Sequence, residues 1–215
     1  MKIDTTDLLN SIMASFDRID YIRSEEIPNI DLYMDQVLTF MDRKLKTAAR
    51  NPENDKILTK TMINNYAKND LLPPPVKKKY SKEHVLLLIF IYYYKNILSI
   101  TDIQTLLGPI TERYFGTKGG LDLVAVYDEV FHMQDDQIER LKADVMGKYE
   151  AAERAFADAP AEQADFLHKF AFICCLSFDV YMKKMLIEKV IDSFREEQEE
   201  GNGKTKDRDK KKENA

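Results

Sequence analysis

Residues 58–85 read "LTKTMINNYAKNDLLPPPVKKKYSKEHV", and this stretch decides what the chain is built around. Thr59 precedes a run with helical periodicity, so its hydroxyl is placed to cap a short helix. On a 3.6-residue wheel Met62, Ile63, Tyr66 and Ala67 share one side and can pack inward. Thr61, Asn64, Asn65 and Lys68 fall together on the other side, and every one of them is a hydrogen-bonding or basic residue. The helix must stop before Pro73–Pro75, because proline removes a donor and restricts the residue before it. Lys77, Lys78 and Lys79 follow at once, then Tyr80. Ser81 is set to cap the next helix, with Glu83 close behind.

Charge makes this stretch stand out. The 215-residue chain carries a formal net charge of −5. Residues 56–82 carry a net +6, whereas residues 83–200 carry a net −10. An acidic body with one basic segment implies a local contact with a polyanion, not a general attraction to nucleic acid or membrane.

The surrounding pattern is helical throughout. Leu8, Leu9, Ile12, Met13, Phe16 and Ile19 mark one face of a first helix, capped by Thr5 or Thr6. A second helix near Asp31 turns Met34, Val37, Leu38, Met41 and Leu45 inward, and "ARNPEND" is a loop. "HVLLLIFIYYYKNIL" is apolar nearly all round and predicts the buried centre of a small domain. Ser99–Leu107 predicts a short helix stopped by Gly108-Pro109. Beyond "GTKGG" at 116–120 one long helix is expected from Leu121 to about Phe156, with a heptad-like seam of Tyr127, Phe131, Ile138, Leu141 and Val145 interrupted at Gln134. A last helix begins around Pro160 and reaches about Phe194, its middle apolar on more than one face. From Arg195 onward no core residue occurs, so a disordered charged tail is expected. The divisions that follow are 1–27, an amino-terminal helix; 28–115, a first domain; 116–195, a helical dimerisation or effector module; and 196–215, the tail.

Signals for chemistry are poor. The sequence has no Walker loop, no glycine-rich dinucleotide turn after a strand and no serine elbow. His84, His132 and His168 sit far apart, and none has a partner at metal-ligand spacing. Cys174 and Cys175 are adjacent, so they diverge on a helix and read as packing residues. No catalytic residue, metal or cofactor is expected. The acidic amino-terminus lacks a signal-peptide pattern, and the uncharged runs 85–94 and 170–178 are too short to span a membrane. A soluble, cytoplasmic protein is the expectation.

The order of parts resembles the MerR-type winged helix-turn-helix domain. Thr59 matches its cap, "MINNY" its recognition helix, "DLLPP" at 70–74 its corner, "KKKYSKEHV" at 77–85 its wing and following helix, and "SITDIQTLL" at 99–107 its closing helix. The passage is also similar to an uncharacterised bacterial family, a domain of unknown function, sharing "LYMDQ", "LTKTMINNYAKN" and "KKKYSKEH". The resemblance covers roughly residues 28–110. Asn64 stands where the MerR pattern has arginine, Lys78 near a wing arginine, and Asp70 at the corner glycine. Phosphate clamping by arginine would thus become single-point contact by lysine.

The resemblance implies a MerR-like winged helix-turn-helix domain, and with the helical periodicity of the rest the expectation is a mainly α-helical protein in which that domain is followed by a long-helix carboxy-terminal module. Its function would be sequence-specific binding of double-stranded DNA and transcriptional regulation. The seam from Tyr127 to Val145 and the doubly apolar last helix add the expectation of a homodimer held by the carboxy-terminal helices. Candidate DNA-contacting residues are Thr59, Lys60, Thr61, Asn64, Asn65, Lys68, Lys77, Lys78, Lys79 and Tyr80. The alternative is a helical adaptor whose same surface binds an acidic protein partner.

Overall fold

The computed structural model describes residues 5–16, 21–46, 49, 51, 53, 55–117, 120–133 and 135–213. It is mainly helical, with eight α-helices and one two-stranded sheet among the described residues. Two compact units share the chain: Met1–Arg23 with Tyr127–Lys183, and Ser24–Val126 with Lys184–Ala215. The amino-terminal helix therefore groups with the later helices, and the two units meet in sequence at 23/24, 126/127 and 183/184.

The second unit holds the opening stretch. Strand β1 (Leu32–Tyr33) leads into helix α2 (Met34–Leu45), which buries Val37, Met41 and Leu45. Helix α3 (Lys60–Lys68) and strand β2 (Lys79–Tyr80) follow. β2 runs antiparallel to β1, pairing Leu32 with Tyr80 and Tyr33 with Lys79. Helix α4 (Lys82–Tyr94) buries every residue from His84 to Ile91, as its all-round apolar sequence requires.

Helix α5 runs Ile100–Tyr114, straight through Gly108-Pro109 where a stop was expected. A proline at 109 removes the N–H that would serve the carbonyl four residues back, that of Thr105. The Gln198 side chain reaches this carbonyl, with Nε2 donating to it at 3.4 Å. A partner distant in sequence thus offsets the lost helical bond. The start of α5 is held by Ser99, whose Oγ accepts from the Asp102 N–H at 3.1 Å, while Arg195 reaches the Asp102 carboxylate at 3.0 Å.

The expected helix 121–156 is two helices, α6 (Leu123–His132) and α7 (Asp135–Arg154). Asp122 caps α6, its Oδ1 accepting from the Ala125 N–H at 2.9 Å. Helix α8 (Ala161–Glu213) starts directly after Pro160 and continues through the segment expected to be a disordered tail. Lys, Glu, Gln and Arg are good helix formers, and extending a helix needs no new nucleus. A lack of core residues therefore does not by itself exclude helix.

In the first unit α1 (Thr5–Phe16) packs on α7 through Leu9, Val145 and Tyr149, with Met13, Phe172 and Leu176 around them. Tyr127 is fully buried and donates its hydroxyl proton to the Ile22 carbonyl at 2.6 Å. Lys148 joins Asp144 on its own helix to Asp179 of α8, the latter at 2.8 Å. Two positions of the seam expected to face a second copy, Tyr127 and Val145, are therefore buried inside their own unit, whereas Leu141 is exposed. The capping of α1 and several of its side chains lie outside the described residues.

No helix among the described residues is long and apolar enough to cross a membrane.

Candidate nucleic-acid interface

Helix α3 has the two faces that its sequence dictates. Thr59, in extended backbone, accepts the Met62 N–H on its hydroxyl at 3.2 Å. Ile63 and Tyr66 are buried, and burial pushes the Tyr66 phenol up from its ordinary pKa. Lys60, Thr61, Asn64, Asn65 and Lys68 are all exposed. Lys60 is paired with Asp35 at 2.8 Å, across to the first turn of α2. The connector 46–59 between α2 and α3 is longer than the three- or four-residue turn of a plain helix-turn-helix.

The helix ends on Asp70, whose φ of 53° lies in the left-handed region. The Leu71 N–H donates to the Tyr66 carbonyl at 2.9 Å and the Asp70 N–H to the Ala67 carbonyl at 3.4 Å. This double bond pattern, with Leu71 and Tyr66 both buried, is a Schellman cap. Glycine usually occupies that position, because other L-residues are strained there.

After Leu72 and the prolines the chain makes a tight hairpin. Val76 bridges to Lys79, and the Lys79 N–H donates to the Val76 carbonyl at 3.0 Å. The two central residues, Lys77 and Lys78, have φ of 51° and 64°. Two-residue hairpins of this hand favour Asn-Gly, so two lysines here are conformationally costly. The turn sacrifices local stability and presents two exposed ammonium groups at its tip.

The base of the hairpin is anchored on α4. The Ser81 N–H donates to His84 Nδ1 at 3.0 Å, a capping box in which histidine takes the usual place of Glu or Gln. Burial pushes the His84 pKa down, while the carbonyls of Pro74 and Pro73 and the charge of Asp31 pull the other way. The ring meets Tyr80 and Phe115 edge-on at 5.5 and 4.8 Å.

Of the ten candidate contact residues, the structure leaves Lys60, Thr61, Asn64, Asn65, Lys68, Lys77 and Lys78 on the surface, with Lys79 half-buried. Thr59 is half-buried and engaged as a cap. Tyr80 is a correction: it is buried beside His84 as the partner of Leu32, and the alternation of a strand turns it to the core while Lys79 faces out. Tyr33 went unread in the sequence. It is exposed, pairs with Lys79 across the sheet, and has the Lys79 ammonium 5.2 Å from its ring centre. Only pairing across 46 positions brings the two together, so no local pattern signals it.

Residues 22–130 match the family described as "Domain of unknown function (DUF1836)". The chain belongs to this family. The DUF1836 region takes in β1 to α5 and most of α6, and so the whole candidate interface. No curated protein and no solved structure matches the chain.

Proposed function

We propose that this DUF1836 protein is a sequence-specific DNA-binding transcription regulator, non-catalytic, acting in the cytoplasm as a homodimer. One observation carries the reading. An exposed arc of Thr61, Asn64, Asn65 and Lys68 on a capped helix is followed by a strained hairpin that carries Lys77 and Lys78, in a chain whose net charge is −5. Asparagine side chains can pair bidentately with adenine edges, and lysines supply phosphate contacts that set register. The MerR-like resemblance gains support from Asp70, which adopts the left-handed conformation where that pattern carries glycine. It is supported also by the order of capped helix, corner, short hairpin and buried helix.

Selection of bound fragments from random double-stranded DNA by the full chain tests the reading. An enriched motif with two-fold symmetry is the expected result. Binding that enriches nothing over bulk DNA overturns it and favours the adaptor with an acidic protein partner.

A further inference from the structure

The small sheet has an inner and an outer face. Leu32 and Tyr80 are paired and both buried, so strand alternation turns their neighbours Tyr33 and Lys79 outward as a second pair. On its other side Lys79 is bridged to Val76 across the two-residue turn. Residues paired across an antiparallel ladder put their side chains on one face. Tyr33, Lys79 and Val76 therefore form a row on the outer face: a ring, an ammonium and an isopropyl group. Tyr33 is 54% exposed and Val76 is 69% exposed. An exposed apolar side chain by itself is ordinary. Here two of them flank one cation, and the Lys79 ammonium lies 5.2 Å from the centre of the Tyr33 ring, within cation–π range. The ring restrains a side chain that would otherwise roam over many rotamers, so Lys79 is presented in place before any partner arrives.

Charge sets the sign of that partner. Residues 71–82 hold Lys77, Lys78, Lys79 and Lys82 and no carboxylate. Of the two acids that bracket Tyr33 in the chain, Asp35 is paired with Lys60 at 2.8 Å, and Asp31 remains exposed. The apolar flanks narrow the choice further. A nucleic-acid strand offers a sugar on each side of every phosphate, and protein contacts to that backbone go to both groups. An acidic peptide has no such regular apolar flank around its charges.

We propose that the row Tyr33–Lys79–Val76 lies along one strand of duplex DNA. The Lys79 ammonium meets a phosphate, and the Tyr33 ring and the Val76 side chain cover the deoxyriboses on either side of it. Tyr33 is then a positioning residue for Lys79 as well as a contact of its own. Such a contact carries no base information; it fixes the register in which α3 meets the groove. The inference rests on the DNA reading above and adds to it two residues, Tyr33 and Val76, that lie outside the α3 and lysine contacts.

The test is a salt titration of the full chain and its variants on a duplex carrying the selected motif and on a random duplex. Tyr33→Ser should weaken both duplexes by about threefold to tenfold, and the slope of log affinity against log salt should shrink by up to about 0.9 as the Lys79 contact loosens. Tyr33→Phe keeps the ring and should hold the parent's slope. Val76→Ser should weaken both duplexes by about threefold, with the slope unchanged. In a Lys79→Met background Tyr33→Ser should cost less than it does in the parent, because part of its effect passes through the ammonium. Both flanking positions are exposed, so circular dichroism spectra should match the parent. A parent that binds DNA while Tyr33→Ser and Val76→Ser bind equally well, with the same slope, overturns the row and leaves the DNA reading standing. Loss on the preferred duplex alone would mean that Tyr33 reads a base, and overturns the backbone contact. A parent that binds neither duplex overturns the DNA reading and the row with it.

Discussion

Replacing the hairpin tip by its ideal turn separates stability from function, because the two should move in opposite directions. Lys77 and Lys78 hold φ of 51° and 64°, and a left-handed conformation costs an L-residue about 1–2 kcal/mol. Asparagine tolerates the first position and glycine the second, although glycine returns about 0.5–1 kcal/mol in unfolded-chain entropy. Lys77→Asn with Lys78→Gly should therefore stabilise the protein by about 1–2 kcal/mol. For a chain of this size that is a rise in melting temperature of about 2–8 °C. The same change removes two exposed cations from the hairpin tip. If each touches a phosphate, the slope of log affinity against log salt should shrink by up to about 1.8, and all DNA sequences should weaken alike. Thermal unfolding and a salt titration on a preferred and a random duplex measure both. A more stable variant that binds DNA less well cannot be explained by misfolding. An unchanged or lower melting temperature would refute the strain argument. An unchanged salt slope in a folded variant would refute the phosphate contacts and leave the hairpin as a solvated turn.

Other consequences follow from the same geometry. Asn64→Ala or Asn65→Ala should cost about 1–3 kcal/mol on the preferred site and little on random DNA, since both are exposed; equal losses on both duplexes would exclude base reading. His84 has its pKa depressed by burial, so the unfolded state takes up its proton first as the pH falls. Its contribution to stability is complete above the unfolded value near 6.5 and is lost as the pH drops through the depressed folded value. His84→Gln keeps a capping acceptor for the Ser81 N–H, and denaturant midpoints across pH 5–7.5 should show that slope flattened. Ile63→Ala, at a fully buried position of α3, should destabilise by about 2–5 kcal/mol in urea unfolding. Deleting 199–215 should leave the melting temperature within about 1 °C of the parent. Among the described side chains Gln198 is the last to reach α5, and surface segments beyond such contacts contribute little.

Much of the interface was legible in the sequence because its determinants are local. The inward and outward sets of α3 follow from a 3.6-residue period and one capping threonine, and the burial around that helix agrees position by position. Helix α4 is apolar on all sides, which leaves it no place but a core. Asp70 ends α3 as a cap four residues after Tyr66, again within one turn of chain. What the sequence could not supply was every feature made by distant segments. Pro109 looks like a helix stop until Gln198 answers the Thr105 carbonyl that proline leaves unserved. Tyr33 is an unremarkable strand residue until β1 meets β2 and sets it under Lys79. Tyr127 and Val145 read as a seam for a second copy, yet packing with Ile22 and Leu9 buries them at home and leaves α8 with the uncovered apolar face. Periodicity fixes which side of an element is apolar, but an apolar side does not name its partner. That is settled only when all the apolar faces of one chain compete for each other, a choice made by the tertiary structure.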